Sequence, residues 1–251
     1  IKDKYLNILK RFILEVKNYE DIFMKNKDNP PISKAKSETA GKIAWARQLY
    51  VKMKRPISKI FHKKDHFKQI ADNPKDEKLQ TEKELADAFL KVARLLRDYE
   101  FKIFDDWKTN SLSQFMGYLR LCVLIKKDHG YEVNFDNRLK LMIHDTKFLD
   151  LYGFSDIPPN IINIAHQEIQ LAQYCNMLSL LLRDYDNLTK SMKEHHQMLL
   201  AKDCKDLNST IEVGTTTHNW TALGIKEFND HCKNGIKNLR DKFANVIKSE
   251  E

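Results

Sequence analysis

Apolar residues recur along most of this chain at steps of three and four, the spacing that lines one face of an α-helix. Tyr5, Leu9, Phe12, Val16, Tyr19 and Phe23 make the first such stripe, ended by Lys27-Asp28-Asn29-Pro30-Pro31, because proline lacks an amide proton and restricts the residue before it. After a polar connection over 28–40, Ile43, Ala46, Tyr50, Met53, Ile57 and Ile60 predict a second helix, with Pro56 a kink. Residues 62–80 read as a loop. Leu85, Phe89, Val92, Leu96, Tyr99, Ile103 and Trp107 predict a long third helix, with Thr81 and Glu84 as its capping box and an interruption at Asn110–Ser113.

The period then shortens. Leu121–Ile125 and Tyr131–Phe135 are β-prone runs on either side of Lys127-Asp128-His129-Gly130, which predicts a hairpin with Gly130 at positive φ. Asp136 is placed to cap a short helix through Leu139, Ile143 and Leu149, closed by Gly153. Pro158 and Pro159 open a long helix whose stripe runs from Ile164 to Leu199, residues 207–221 form a Thr-rich connection, and a last helix carries Ile225 to Val246. The expected fold class is mainly α, long-helix bundles with one short β-hairpin near 121–135. Three stretches follow: a basic helical pair (1–61), a long helix with hairpin and short helix (79–153), and a long helix, connection and closing helix (159–251). Polar stretches 62–80 and 201–218 are expected to be loops free to meet partners.

Composition agrees with helices. In 251 residues there are 7 Gly and 6 Pro, with 31% charged, which weighs against a Gly-rich α/β nucleotide enzyme or an all-β sandwich. Cys122, Cys175, Cys204 and Cys232 contain no CxxC pair, which predicts reduced, packed thiols in an intracellular protein. No apolar run approaches a membrane span, so no membrane partner is expected. Leu95–Glu100 and Leu181–Asp186 nearly repeat, for which ordinary reuse of Leu and Tyr in helical cores is the preferred account.

Charge changes the picture. Residues 1–70 hold 18 Lys+Arg against 7 Asp+Glu, while the whole chain is only +8. A basic third invites an acidic partner, although a solvated lysine face is the plainer reading. Neither a zinc finger nor an RRM-like aromatic motif accompanies these lysines, which weighs against nucleic acid.

Candidate chemistry narrows further. The seven glycines are scattered, so neither GxxxxGK[ST] nor GxGxxG exists to cradle phosphate. His62 and His66 have the i,i+4 spacing of a zinc pair, but Lys63 stands where a zincin needs Glu. His195 and His196 are adjacent and read as exposed side chains. No GxSxG elbow occurs, and Asp105-Asp106 reads as a solvated face. No catalytic residue, metal site or cofactor is expected.

Several blocks do more than fit a period. Asn29-Pro30-Pro31, Gly41-Lys42-Ile43-Ala44-Trp45-Ala46-Arg47-Gln48-Leu49-Tyr50 and Arg55-Pro56-Ile57 resemble a stretch in the tail of dynein heavy chains. Tyr99-Glu100 with Trp107, Val133-Asn134-Phe135-Asp136 with Leu139, Lys147–Leu151, Gly153-Phe154 and Ile157-Pro158, and Asn219–Ile225 follow in the family's order. Ala222 stands where the family usually has serine, and Val213-Gly214 where it has Pro-Gly. The blocks are closest to ciliary and flagellar heavy chains.

The resemblance implies a non-catalytic segment of an axonemal heavy-chain tail, a rod-like stem of helical bundles whose ATPase lies elsewhere in the parent motor. Implied partners are other dynein heavy chains, dynein intermediate and light chains, and docking components on doublet microtubules. The implied location is the cytoskeleton of the cytoplasm, in the axoneme of a cilium or flagellum. The residues expected to meet an acidic partner are Lys52, Lys54, Arg55, Lys59, Lys63 and Lys64. The competing reading is a stand-alone basic helical module that binds acidic microtubule surfaces or nucleic acid.

Overall fold

A computed structural model describes residues 2–61, 77–128, 130–221 and 224–250, and the chain divides into two compact units, Ile1–Thr109 and Asn110–Glu251. Among the described residues the structure is mainly α with one two-stranded antiparallel sheet.

The first unit is built from α1 (Lys2–Asn26), α2 (Glu38–Phe61) and α3 (Glu77–Trp107). Leu9, Val16, Phe23, Ala46, Leu49, Met53, Ile57, Leu85, Val92 and Leu96 form one buried cluster. All of these but Leu49 are positions of the three stripes, so each helix buries the face its periodicity marks. Tyr5 reaches Glu82 and Tyr99 reaches the Lys27 carbonyl, so α1 and α3 run the same way. Trp45 packs on Tyr99 and Tyr50 on Phe89, so α2 runs against α3. The connection is held at Gly41, where an added Cβ would lie 2.9 Å from Ile32 Cβ.

Two expectations fail here. Residues 77–80 are helical, not loop, so Thr81 cannot cap α3. Instead its hydroxyl donates to the Glu77 carbonyl at 2.7 Å, the bond a mid-helix threonine makes with the preceding turn. Where an interruption is expected at Asn110–Ser113, residues 108–112 form a π-helical turn.

In the second unit, α4 (Ser113–Leu119) precedes β1 (Leu124–Lys127) and β2 (Gly130–Val133), which pair with Leu124 opposite Val133 and Lys127 opposite Gly130. Gly130 has φ 121°, as expected. The hairpin lies closer to its turn than the sequence runs suggest, because residues 122–123 pair elsewhere. Val123 N–H donates to the His218 carbonyl at 2.9 Å, and Cys122 bridges Asn219. Asp136 caps α5 (Asn137–Leu151) by accepting from Arg138 N–H at 2.7 Å, and Gly153, with φ 82°, closes it.

The long helix expected after Pro158 is three pieces. Pro159 opens α6 (Pro159–His166), Gln167 separates it from α7 (Glu168–Ser191), and α8 (Glu194–Leu199) follows. Met192 breaks the stripe by adopting an extended backbone (φ −80°, ψ 126°) with its side chain buried. The change of direction exposes Leu199 and buries Leu200, reversing the expected assignment. The expected polar loop is also largely helix, α9 (Ala201–Glu212), followed by a 3-10 turn at Val213–Thr215. Its buried Leu207 and Ile211 pack a polar helix onto α10 (Ile225–Glu250), which Gly235 lets approach: a Cβ there would lie 2.7 Å from Leu207 Cδ1.

Candidate interaction surface

The C-terminal half of α2 has two chemically distinct faces. Leu49, Met53 and Ile57 are buried, while Val51, Lys52, Lys54 and Arg55 are exposed. Lys52 and Arg55 are three residues apart, which puts them on one side of the helix. The Lys54 ammonium lies 5.7 Å from the Tyr50 ring centroid, its stem laid along an aromatic.

Several other cations of the same unit are paired. Lys10 meets Glu77 at 3.1 Å, Lys91 meets Glu20 at 2.7 Å and Arg47 meets Glu100 at 2.9 Å. Burial pushes the Glu100 carboxyl up while the Arg47 guanidinium opposes it, so that pair is part of the helix packing. Among the described residues, Lys52 and Arg55 make no ion pair. Of the six predicted residues, Lys52, Lys54 and Arg55 therefore sit together on α2, and Lys59 belongs to the same helix with its side chain outside the described residues. Lys63 and Lys64, with His62 and His66, also lie outside them.

The family-like blocks occupy packing and capping positions. Phe23 stacks on Trp45 at 5.8 Å, and Tyr99 meets both edge-on at 5.4 and 6.1 Å. Burial is the main cause raising the Tyr99 hydroxyl above its ordinary range. Trp107 stacks on Phe104 and is buried, with no hydrogen-bond partner for its indole N–H among the described residues. Phe135 meets Trp220 edge-on at 4.8 Å, and Trp220 Nε1 donates to the Asn134 carbonyl at 2.7 Å. Asn134 Nδ2 in turn donates to the Cys122 carbonyl at 3.0 Å. Gly153 and Gly224 take positive φ, which other residues adopt only at a cost. These residues hold the fold, while Arg55, which belongs to one of the blocks, is exposed on α2.

The four cysteines are free. Burial pushes the Cys175 and Cys232 thiols up to about 12, so neither is a thiolate nucleophile at neutral pH.

The histidine reading needs correction. His196 is buried, not exposed, and both rings of the adjacent pair reach one carboxylate. His195 Nε2 lies 3.1 Å from Glu250 Oε1, and His196 Nε2 lies 3.0 Å from Glu250 Oε2. Sequence reasoning missed this because the partners are 54 residues apart. No helix among the described residues is long and apolar enough to cross a membrane.

Comparison with known proteins converges with the block resemblance. The family described as dynein heavy chain, N-terminal region 1, matches residues 1–228. The human dynein axonemal heavy chain 10 is 25% identical over 238 residues, covering 90% of this chain and 5% of that protein. The 1-alpha heavy chain of the flagellar inner arm I1 complex of Chlamydomonas reinhardtii is 29% identical over 212 residues, covering 84% of this chain and 4% of that protein. The gamma chain of the flagellar outer arm of the same alga is 24% identical over 249 residues, covering 98% and 5%. The chain thus spans about a twentieth of the length of these relatives. With the family match covering the first unit and residues 110–228 of the second, this chain belongs to the dynein heavy chains, within their N-terminal region 1.

Proposed function

We propose that this chain is a non-catalytic tail segment of an axonemal dynein heavy chain that helps assemble the arm and anchor its motor in a cilium or flagellum. The observation that carries the reading is the family match over residues 1–228, together with relatives named for axonemal, ciliary and flagellar dyneins. The parent chain acts as an ATP-driven microtubule motor, with its ATPase in other regions. The partners are other heavy chains, intermediate and light chains, and docking components on doublet microtubules. The contact surface is the cationic side of α2, Lys52, Lys54, Arg55 and Lys59, extended by Lys63 and Lys64. An anchor must carry load without melting, and helices with continuous apolar seams bury much surface per unit length.

The test is charge reversal of these six residues in the full-length heavy chain. The expected result is weaker incorporation into axonemal arms and a changed salt dependence of extraction; unaltered assembly and salt sensitivity would sink the assigned surface. Lysine cross-linking of the native arm tests the wider reading. Links from residues 1–70 to intermediate chains or another heavy chain are expected. Links to tubulin or nucleic acid alone, with salt-dependent binding by the isolated chain, would transfer the assignment to a direct-binding module.

A further inference from the structure

The histidine pair and Glu250 belong to the second unit and make no contribution to the proposed role. The short helix α8 and the last turn of α10 bring them together, so that one donor atom from each of the three residues lies within 4.8 Å of the others. We propose that His195, His196 and Glu250 form a binding site for a divalent ion of the zinc class, with both imidazole Nε2 atoms and the carboxylate as ligands.

Donor chemistry supports the assignment. Two imidazoles and a carboxylate are the nitrogen and oxygen ligands that zinc takes in sites keeping a further position open. At zinc–ligand distances of about 2.0–2.2 Å, ligands in a tetrahedral site are about 3.3–3.6 Å apart. The two Nε2-to-carboxylate distances, 3.1 and 3.0 Å, run to different carboxylate oxygens and lie a few tenths of an ångström inside that spacing. The donor set as a whole lies within 4.8 Å, so the widest pair has to close by up to about 1 Å when an ion binds.

The packing also favours a fixed site. His196 is 4% exposed and meets the Phe243 ring edge-on at 5.2 Å, which fixes one imidazole against α10. His195 and Glu250 are exposed, which leaves an entry path and room for water at the fourth position. The cost falls at His196 Nδ1, which accepts from Lys193 N–H at 3.2 Å. Metal at Nε2 moves the ring proton to Nδ1 and ends that hydrogen bond. Lys193 is exposed, so water can take its N–H. The bound ion would clip α8 to the end of α10.

The experiment is calorimetric titration of the 251-residue chain with Zn2+, paired with thermal melting, for the parent and for His195→Ala and Glu250→Gln. Both substitutions replace exposed side chains, so the fold is retained. The expected result is one saturable site in the parent, weakened at least about tenfold by either substitution. Zn2+ should raise the melting temperature of the parent and not of the variants. An absence of saturable binding, or equal binding and equal thermal shifts in all three proteins, would overturn the proposal.

Discussion

Trp220 and Asn134 are 86 residues apart, and the buried indole N–H of the first donates to the backbone carbonyl of the second at 2.7 Å. The bond ties the segment before α10 to the end of the β-hairpin. The Trp220 backbone N–H donates to the Leu119 carbonyl at 2.9 Å, so the same residue also holds the end of α4. One residue, through its side chain and its backbone, thus joins three parts of the second unit.

Trp220→Phe should keep much of the packing and lose the bond, leaving a carbonyl without its donor. A loss of about 1–3 kcal/mol is expected, whereas Trp220→Ala should lose about 3–5 kcal/mol. Urea unfolding of the chain, followed by far-UV circular dichroism, distinguishes the two. Equal losses would mean that the indole acts by bulk alone.

Two glycines should respond in opposite directions. A Cβ at Gly214 would lie 2.6 Å from Phe228 Cζ and 2.8 Å from Leu124 Cδ1. Gly214→Ala should therefore destabilise by about 1–3 kcal/mol. Gly117, inside α4, has nothing within 4 Å of the added atom. Gly117→Ala should stabilise by about 0.5–1 kcal/mol by favouring the helix and restricting the unfolded chain. Thermal melts of the two variants test the pair directly.

Tyr99→Phe removes the hydroxyl that donates to the Lys27 carbonyl at 2.9 Å and leaves the ring between Phe23 and Trp45. A loss of about 1 kcal/mol is expected. Amide exchange should rise first at the end of α1, because that is where the freed carbonyl lies. No change in stability would show that water replaces the hydroxyl.

Asp136 links the cap of α5 to pH. Bonds from the Arg138 side chain and backbone hold its carboxyl below the usual range. Its contribution is present above the unfolded value of about 3.9 and falls as pH drops through the lower folded value. Asp136→Asn should keep the cap and flatten this part of the acid-unfolding curve. Unchanged pH dependence in the variant would remove Asp136 from the account.

Native alkylation at pH 8 should leave Cys175 and Cys232 largely unlabelled, since burial raises both thiols to about 12. Denaturant should make both reactive. Mass spectrometry after a timed iodoacetamide pulse reads the difference, and fast native labelling of Cys232 would contradict its burial.

Much of the architecture is written in periodicity. The stripes through Leu9, Met53 and Leu96 predict three helices and name the residues their core buries, because a helix repeats every 3.6 residues wherever it lies. Local caps are legible for the same reason: Asp136 and Gly153 act on bonds made within a few residues. The α9 helix was also legible, for Leu200, Cys204, Leu207 and Ile211 continue the four-three spacing, but its polar composition masks that signal.

What the tertiary structure decided are contacts between parts distant in sequence. Thr81 has the composition of a cap, yet α3 begins a turn earlier and makes it a helix-interior residue. His196 falls on the stripe four residues after Met192, but its polar ring masks that signal, and its contacts with Phe243 and Glu250 come from a helix that lies far along the chain. The strands begin and end elsewhere than the β-prone runs, and residues 122–123 make bonds to 218–219. Local spacing determines which face of an element is apolar; the partner that covers it, and the polar atoms caught between them, depend on burial and hydrogen bonding across the folded chain.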